Sequence, residues 1–279
     1  MNKYIRHLLS SLSIIVIIIS CTPAASIESF DYGTQNEDAR AYFLKGWEEI
    51  LDNGRWSVSE MAFRKAAELD PDWLLGKSMV ARITQNLEER QEILQYLEQN
   101  LDKANPDERM LLDVNIQSHI AANNRDQGIA NSPEFNKRRR ELAELNFGTF
   151  AHKYPEDDYF KAEYIEFLNL NHGAQTALDS IKHLANARQQ NLGFYISFAA
   201  SLELELGNID NAEELSAKLD RTLTEPSYLS PKVLKAQILM AKDSIDEAFT
   251  LINKVVASDS KHIIAKGMQQ RLKQMIEGK

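Results

Sequence analysis

Seven prolines punctuate the chain, and the distances between them constrain its fold more than any other feature. Pro71 and Pro106 are 35 residues apart, and Pro155 and Pro226 are 71 apart, about twice that. None of the seven, which also include Pro23, Pro133 and Pro231, interrupts a stretch with apolar residues at helical spacing, as expected where proline marks a loop or a helix start. Between them Ala, Leu, Glu, Lys and Gln predominate and the alternation of a half-buried strand is almost missing, so the chain reads as all-α. A period in the mid-thirties holds two helices and a turn. One such pair leaves its apolar face wet, and stacking neighbours buries it, so arrays carry about three or more copies.

Residues 54–71, GRWSVSEMAFRKAAELDP, supply the template. A helix pair needs a glycine at its turn, an apolar or aromatic residue soon after, small residues where the helices touch, and a stop after the second helix. Gly54, Trp56, Ser59, Phe63, Ala66 and Pro71 fill those places, behind a first helix with Phe43, Trp47 and Ile50. This unit resembles the tetratricopeptide-repeat (TPR) superfamily at nearly every marker. The departure is Gly46, which falls one place early and leaves the register of the first helix open. Weaker copies follow at the same period. Residues 73–106 bring Ala81, Leu97 and Pro106; 158–190 bring Tyr164, Leu168, the turn Asn171-His172-Gly173, Ala177, Ile181 and Leu184. Residues 193–225 bring Ala199, Ala200, the turn Leu206-Gly207-Asn208 and Ala212, and 229–260 bring Ala236, Leu239, Ile245, Ala248 and Ile252. The stretch 107–155 holds two helices whose turn is expanded into a loop from Asn123 to Phe135, before Ala143, Phe147 and Pro155 restore the pattern. The resemblance implies a right-handed α-solenoid of about six TPR-like helix pairs over residues 38–279, with a polar capping helix from about His262.

The beginning of the chain reads differently. Lys3 and Arg6 precede the apolar run LLSSLSIIVIIIS and then Cys21, the pattern of a secretory signal peptide. The run is about a dozen residues, short of the roughly 20 that span a membrane. Ile18-Ile19-Ser20-Cys21 resembles the lipobox of bacterial lipoproteins. That resemblance implies a signal peptide over 1–20, cleavage before Cys21, and acylation of its thiol and new amino group; several acyl chains anchor a protein stably. Thr22, where an Asp would stand in retained lipoproteins, favours the outer membrane, facing the periplasm or the cell surface. Residues 21–37 are expected to be the lipidated cysteine and a flexible tether reaching about 50 Å.

Cys21 is the only cysteine, so lipidation would leave no thiol for a disulfide, nucleophile or metal. The mature chain would carry 30 basic and 41 acidic residues, a balance that argues against nucleic acid as the main partner. Gly76-Lys77-Ser78 imitates the end of a phosphate-binding loop, but Pro71 stands where the loop needs its first glycine and the triplet falls in an expected helix, so no nucleotide is expected. Of the histidines, His7, His119, His152, His172, His183 and His262, no two beyond the leader stand at the spacing of a metalloprotease helix, and no metal or other cofactor is expected. Adjacent acids such as Glu88-Glu89, Asp157-Asp158 and Glu213-Glu214 diverge and read as solvated charge. The basic run Lys137-Arg138-Arg139-Arg140 could bind an acidic partner or lipid headgroups, but Glu141 and Glu144 stand four residues beyond Lys137 and Arg140, where surface pairs form. Trp47, Trp56 and Trp73 could stack on sugars, but their repeat positions point to the core.

No nucleophile-base or acid-base constellation can be assembled from spacing, so the expectation is not an enzyme. It is a lipid-anchored, non-catalytic scaffold or adaptor whose partner is another protein of the cell envelope. The alternative is a lipoprotein that binds a glycan or small ligand, with Tyr159 and Phe194 as the aromatics available to a groove. In TPR-like solenoids the first helix of each unit lines the concave face. Carrying that over places Arg82, Gln85 and Asn86, then Tyr159, Glu166 and Asn169, then Ser197, Ser201 and Glu205, and Gln237 on the partner-binding surface, with Arg82 and Tyr159 as anchors.

Overall fold

The structure, a computed structural model, describes residues 30–278. Its described residues contain thirteen α-helices and no strand. They are α1 (Glu37–Trp47), α2 (Trp56–Leu69), α3 (Leu74–Ile83), α4 (Leu87–Asn100), α5 (Pro106–Asp126), α6 (Pro133–Lys153), α7 (Tyr159–His172), α8 (Ala174–Leu184), α9 (Gly193–Glu205), α10 (Ile209–Thr222), α11 (Ser230–Ala241), α12 (Ile245–Ser258) and α13 (Ile263–Glu277). Each packs on the next, and α3 also packs on α5 and α9 on α11. Local chemistry sets many of the starts. Asn36, Asn105 and Ser132 accept hydrogen bonds from the first free amides of α1, α5 and α6, and Pro106 and Pro133 open α5 and α6. Small residues stand where helices meet: Ala66, Ala81, Ala143, Ala177, Ala200, Ala212, Ala236 and Ala248 are all fully buried.

The first hairpin explains the misplaced Gly46. Between α1 and Gly54 the chain makes a π-helical turn, Glu48–Asp52, which takes one residue more per turn than an α-helix. Asn53 N donates to the Glu48 carbonyl at 3.0 Å and Arg55 N to that of Glu49 at 2.7 Å. Gly46 stays against Phe63, whose ring a Cβ would meet at 2.6 Å, and Ser59 Oγ donates to the Gly46 carbonyl at 2.7 Å. The turn also draws two acids inside, Glu49 and Asp52. Glu49 is fully buried and held by Arg55 through two 2.5 Å hydrogen bonds and by Lys45 at 2.8 Å.

Two expectations about loops need correction. The tether was to run to residue 37, yet Phe30–Asn36 lie packed along the helices. Phe30 meets Phe150 edge-on at 5.0 Å and Tyr154 at 5.3 Å. Trp73 Nε1 donates to the Tyr32 carbonyl at 2.7 Å, Tyr32 Oη donates to Asp157, and Thr34 Oγ1 donates to Asp70 at 2.5 Å. Aromatic rings that find partners in α6 and ahead of α3 outweigh the polar composition around them. Packing is therefore already in place at Phe30, the first of the described residues. Cys21 and the signal-like segment lie outside the described residues. Likewise, the loop from Asn123 to Phe135 shrinks to 127–132, because α5 continues to Asp126 and α6 starts at Pro133. Arg90 pins that extra turn, donating to Asp126 at 2.7 Å and to Asn123 at 3.3 Å.

The chain does not leave its two ends apart. The turn of the first hairpin sits against the C-terminal helices. Phe194 N donates to Asp52 Oδ1 at 2.7 Å, and Leu229 N and Ser230 N donate to the Asn53 carbonyl at 2.8 and 3.3 Å. Ser57 donates from N and Oγ to the Asp259 carboxylate at 2.9 and 2.5 Å, Arg55 lies 5.0 Å from the Tyr228 ring centre, and Lys261 pairs with Glu60. Gly54, at φ +71°, is close enough to α11 that a Cβ would come within 2.7 Å of Ser230 N, and a Cβ on Gly193 would come equally close to the Asp52 carbonyl oxygen. Both glycines exist where backbones meet.

Candidate functional site: two cavities around Trp56

Because the first hairpin enters the curl, the interior is divided. Trp56 stands between two cavities and borders both, its ring stacked on His262 at 5.7 Å. The larger, about 530 Å³, lies among α3 to α7. The smaller, about 300 Å³, lies between the first hairpin, α9, α11 and the start of α13. Both volumes are in the range of small-ligand sites.

The larger cavity is lined by charge on an apolar ground. Arg82 donates to Glu163 at 2.6 and 3.0 Å while its guanidinium lies 5.1 Å from the Trp47 ring centre. Arg90 and Arg125 both reach Asp126, at 2.7 and 3.1 Å. His119 is 3% exposed and its Nε2 has no partner. An uncharged ring accepts a hydrogen bond at Nε2 whenever its proton is on Nδ1. Desolvation, with Arg82 and Arg90 nearby, pulls its pKa down to about 3, so the ring is neutral at physiological pH. Glu166 borders both cavities; burial and the Glu163 charge push its carboxyl up to about 8, against the pull of Arg82. Val114, Phe147, Phe167 and Ile263 complete the wall.

The smaller cavity collects much of what the sequence placed on a concave surface. Ser197, Ser201, Glu205 and Gln237 line it together with Glu166. Ser201 Oγ lies 3.0 Å from both the Gln237 side-chain oxygen and the Ser197 carbonyl. His262 Nδ1 accepts from Ala265 N at 3.3 Å, so its proton is on Nε2, a buried donor without a partner.

Of the remaining expected residues, Arg82 and Gln85 line the larger cavity, while Asn86, Asn169 and Tyr159 line neither. Gln85 and Asn86 are not on a first helix, since α3 ends at Ile83; Asn86 accepts from Glu89 N at 3.2 Å and caps α4, as its side chain is suited to do. Asn169 lies beside Glu205 at 3.5 Å. Tyr159 is no free anchor: its ring stacks on Trp47 at 6.0 Å and 9°. Phe194, the other aromatic considered for a sugar, borders the smaller cavity, 5% exposed and stacked on Phe198 at 5.3 Å. Trp47 and Trp73 are core.

Gly76-Lys77-Ser78 lies inside α3, with Gly76 against the Trp73 ring and Ser78 Oγ donating to the Leu75 carbonyl at 2.8 Å. In the basic run Lys137 pairs with Glu141 at 3.7 Å as expected, but Glu144 does not meet Arg140. It accepts from Asn171 at 2.6 Å and lies 2.8 Å from His172 Nε2, because the end of α7 offers better-placed partners. Arg139, inside that run, borders the larger cavity with its Nε unpartnered. Sequence reasoning missed Arg139, His119 and Glu163. The visible signal for the first was that one of four consecutive basic residues on a helix must face inward.

Among the described residues no three of His, Cys, Asp and Glu gather as metal ligands, and no helix is long and apolar enough to cross a membrane. No protein-family model and no curated protein matches this chain, so the functional reading rests on its own residues.

Proposed function

We propose that this protein is a lipid-anchored binding module of the bacterial cell envelope, a TPR-like right-handed solenoid of six helix pairs and a cap, which takes a small ligand into its interior and performs no catalysis. The observation that carries this reading is the first hairpin inside the curl. It removes the open groove in which a partner helix would lie and leaves cavities of about 530 and 300 Å³, bordered by unpaired polar groups. Their size and mixed walls suit a small molecule. The resemblance of Ile18–Cys21 to a lipobox supports the membrane anchor. With Phe30 already packed, residues 22–29 would hold the helices within about 30 Å of the lipid even if fully extended.

The test fills the larger cavity. Ala122→Trp, on α5, puts an indole where the ligand would sit. Immobilised parent chain should retain a small molecule from an envelope extract, identified by mass spectrometry, and the filled variant should not. Equal retention by both would refute the interior as the site.

A second reading, the protein scaffold, is favoured by one outer surface. Leu145 is 66% exposed beside a shallow depression formed with Gly148, His152 and Tyr164 on α6 and α7. Leu145→Lys should abolish capture of an envelope protein if this face is used, while Ala122→Trp leaves that capture unchanged.

A further inference from the structure

The larger cavity makes a more specific chemical demand than its volume does. Arg139 forms no hydrogen bond or ion pair among the described residues, and neither does Glu166. The other charges are largely spent on each other: Arg82 is closed on Glu163, and Arg90 and Arg125 share Asp126. The guanidinium of Arg139 cannot lose its proton, so this wall carries a cation in want of an anion, within a chain that is acidic overall. Opposite in character is His119 Nε2, a buried nitrogen of a neutral ring that has no partner and accepts when the ring proton is on Nδ1. A buried polar group left unpaired is destabilising, and a ligand that pairs it removes that cost. Phe147, Phe167 and Val114 between them offer an apolar bed.

Resting on the reading of the interior as a small-ligand site, we propose that the larger cavity binds a small organic carboxylate with an apolar body and a hydrogen-bond donor on the carbon next to the carboxylate. A 2-hydroxy acid and an N-acylamino acid both have this chemistry. Arg139 takes the carboxylate, as guanidinium is suited to do. Glu166, protonated near neutral pH, donates to it rather than repelling it. The neighbouring hydroxyl or N–H donates to His119 Nε2, and the hydrocarbon part lies on the phenylalanines. Phosphate fits less well, because it has nothing for the apolar walls.

Calorimetry with the chain from residue 22, which contains all the described residues, tests this with defined probes: 2-hydroxyisocaproate, isocaproate, N-acetyl-leucine and N-acetyl-leucinamide. The hydroxy acid and N-acetyl-leucine should bind at least about tenfold more tightly than isocaproate, which lacks the donor, and than the amide, which lacks the charge. Arg139→Gln should erase the preference for acid over amide without changing the melting temperature, since Arg139 has no partner to lose. His119→Phe, with a near-parental melting temperature, should erase the preference for the donor and keep that for the acid. A tripeptide ending in leucine, run alongside, separates the two sources of the chemistry: binding tighter than N-acetyl-leucine identifies a peptide end, weaker binding a free acid. Equal binding of acid and amide, or a preference that survives Arg139→Gln, overturns the proposal. If such indifferent binding is still lost in Ala122→Trp, the interior remains the site and only the carboxylate assignment falls; if no probe binds and extracts are retained equally by both chains, the interior reading falls too.

Discussion

The carbonyl oxygen of Asn53 accepts a hydrogen bond from the amide of Leu229 at 2.8 Å, joining the turn of the first hairpin to the start of α11. The division of the interior depends on that contact. The hairpin can approach only because Gly54 has no side chain, and its approach splits the concave space on either side of Trp56.

Gly54→Ala should therefore cost more than its backbone angle alone. At φ +71° an alanine is strained by roughly 1–2 kcal/mol, and its Cβ would also press on Ser230 N. Gly207 has φ +82° and nothing within 4 Å of a Cβ, so Gly207→Ala measures the strain by itself. Urea unfolding should place Gly54→Ala below Gly207→Ala by about 1 kcal/mol or more. Equal losses would show that the closure yields without cost.

Ala66→Trp should be among the most damaging changes in the first hairpin. Ala66 is fully buried on α2 in the main core, and overpacking such a contact costs about 1–3 kcal/mol. A variant that melts within a degree of the parent would mean the core can open there.

Asp52 gives the pH dependence of stability a definite sign. It is 5% exposed, and burial pushes its carboxyl up to about 7, against the hydrogen bond from Phe194 N. In the unfolded chain it ionises near pH 4. Between those values the unfolded state releases a proton that the folded state keeps, so stability from this group declines as pH rises, by up to roughly 1.4 kcal/mol per unit. Asp52→Asn retains an acceptor for Phe194 N and lacks the decline. Melting curves should show the variant gaining on the parent from pH 4 to pH 7, and parallel curves would place Asp52 outside the closed contact.

Ligand affinity should fall as pH rises through about 8. Glu166 then ionises and faces the bound carboxylate, while Arg82, Arg90, Arg125 and Arg139 keep their charge, Glu163 and Asp126 stay paired, and His119 stays neutral. Glu166→Gln should bind equally well on both sides of that pH; a parent profile flat from pH 6 to 9 would remove Glu166 from the site.

Deletions should separate the real loop from the expected one. Removing two residues from 128–130 shortens an exposed turn and keeps Asn131, and loops of this kind add little to folding stability. Removing two from 123–126 breaks the hydrogen bonds of Arg90 and should lower the melting temperature by several degrees, as expression and thermal denaturation would reveal.

The helices could be read from the chain because their information is local. Asn36, Asn105 and Ser132 cap the helices that begin just after them, and the buried alanines recur where a mid-thirties period puts them. Gly54 was legible as a turn, but not as a contact, since Leu229 and Ser230 offer it mainly backbone atoms, which carry no sequence signature. Phe30 and Tyr32 looked like linker because the rings that receive them, Phe150 and Tyr154 for the first and Phe160 for the second, are far along the chain. Of the cavity walls, Arg82, Glu166, Ser197, Ser201 and Gln237 were within reach of the repeat pattern. Arg139 was not, because three basic neighbours disguised it as surface.

A row of stacked helix pairs that ends in open solvent can grow or shrink by whole pairs, and each change only lengthens or shortens it. Here Asn53 and Leu229 must arrive at the same place, so the rotation and rise of every helix between them must add up to one fixed displacement. A duplicated or deleted pair between α3 and α10 would swing α11 away from the first hairpin and take a wall from the smaller cavity. The number of helices in this protein is in that sense a dimension of its interior, as fixed as the width of a ring is by the length of its circumference.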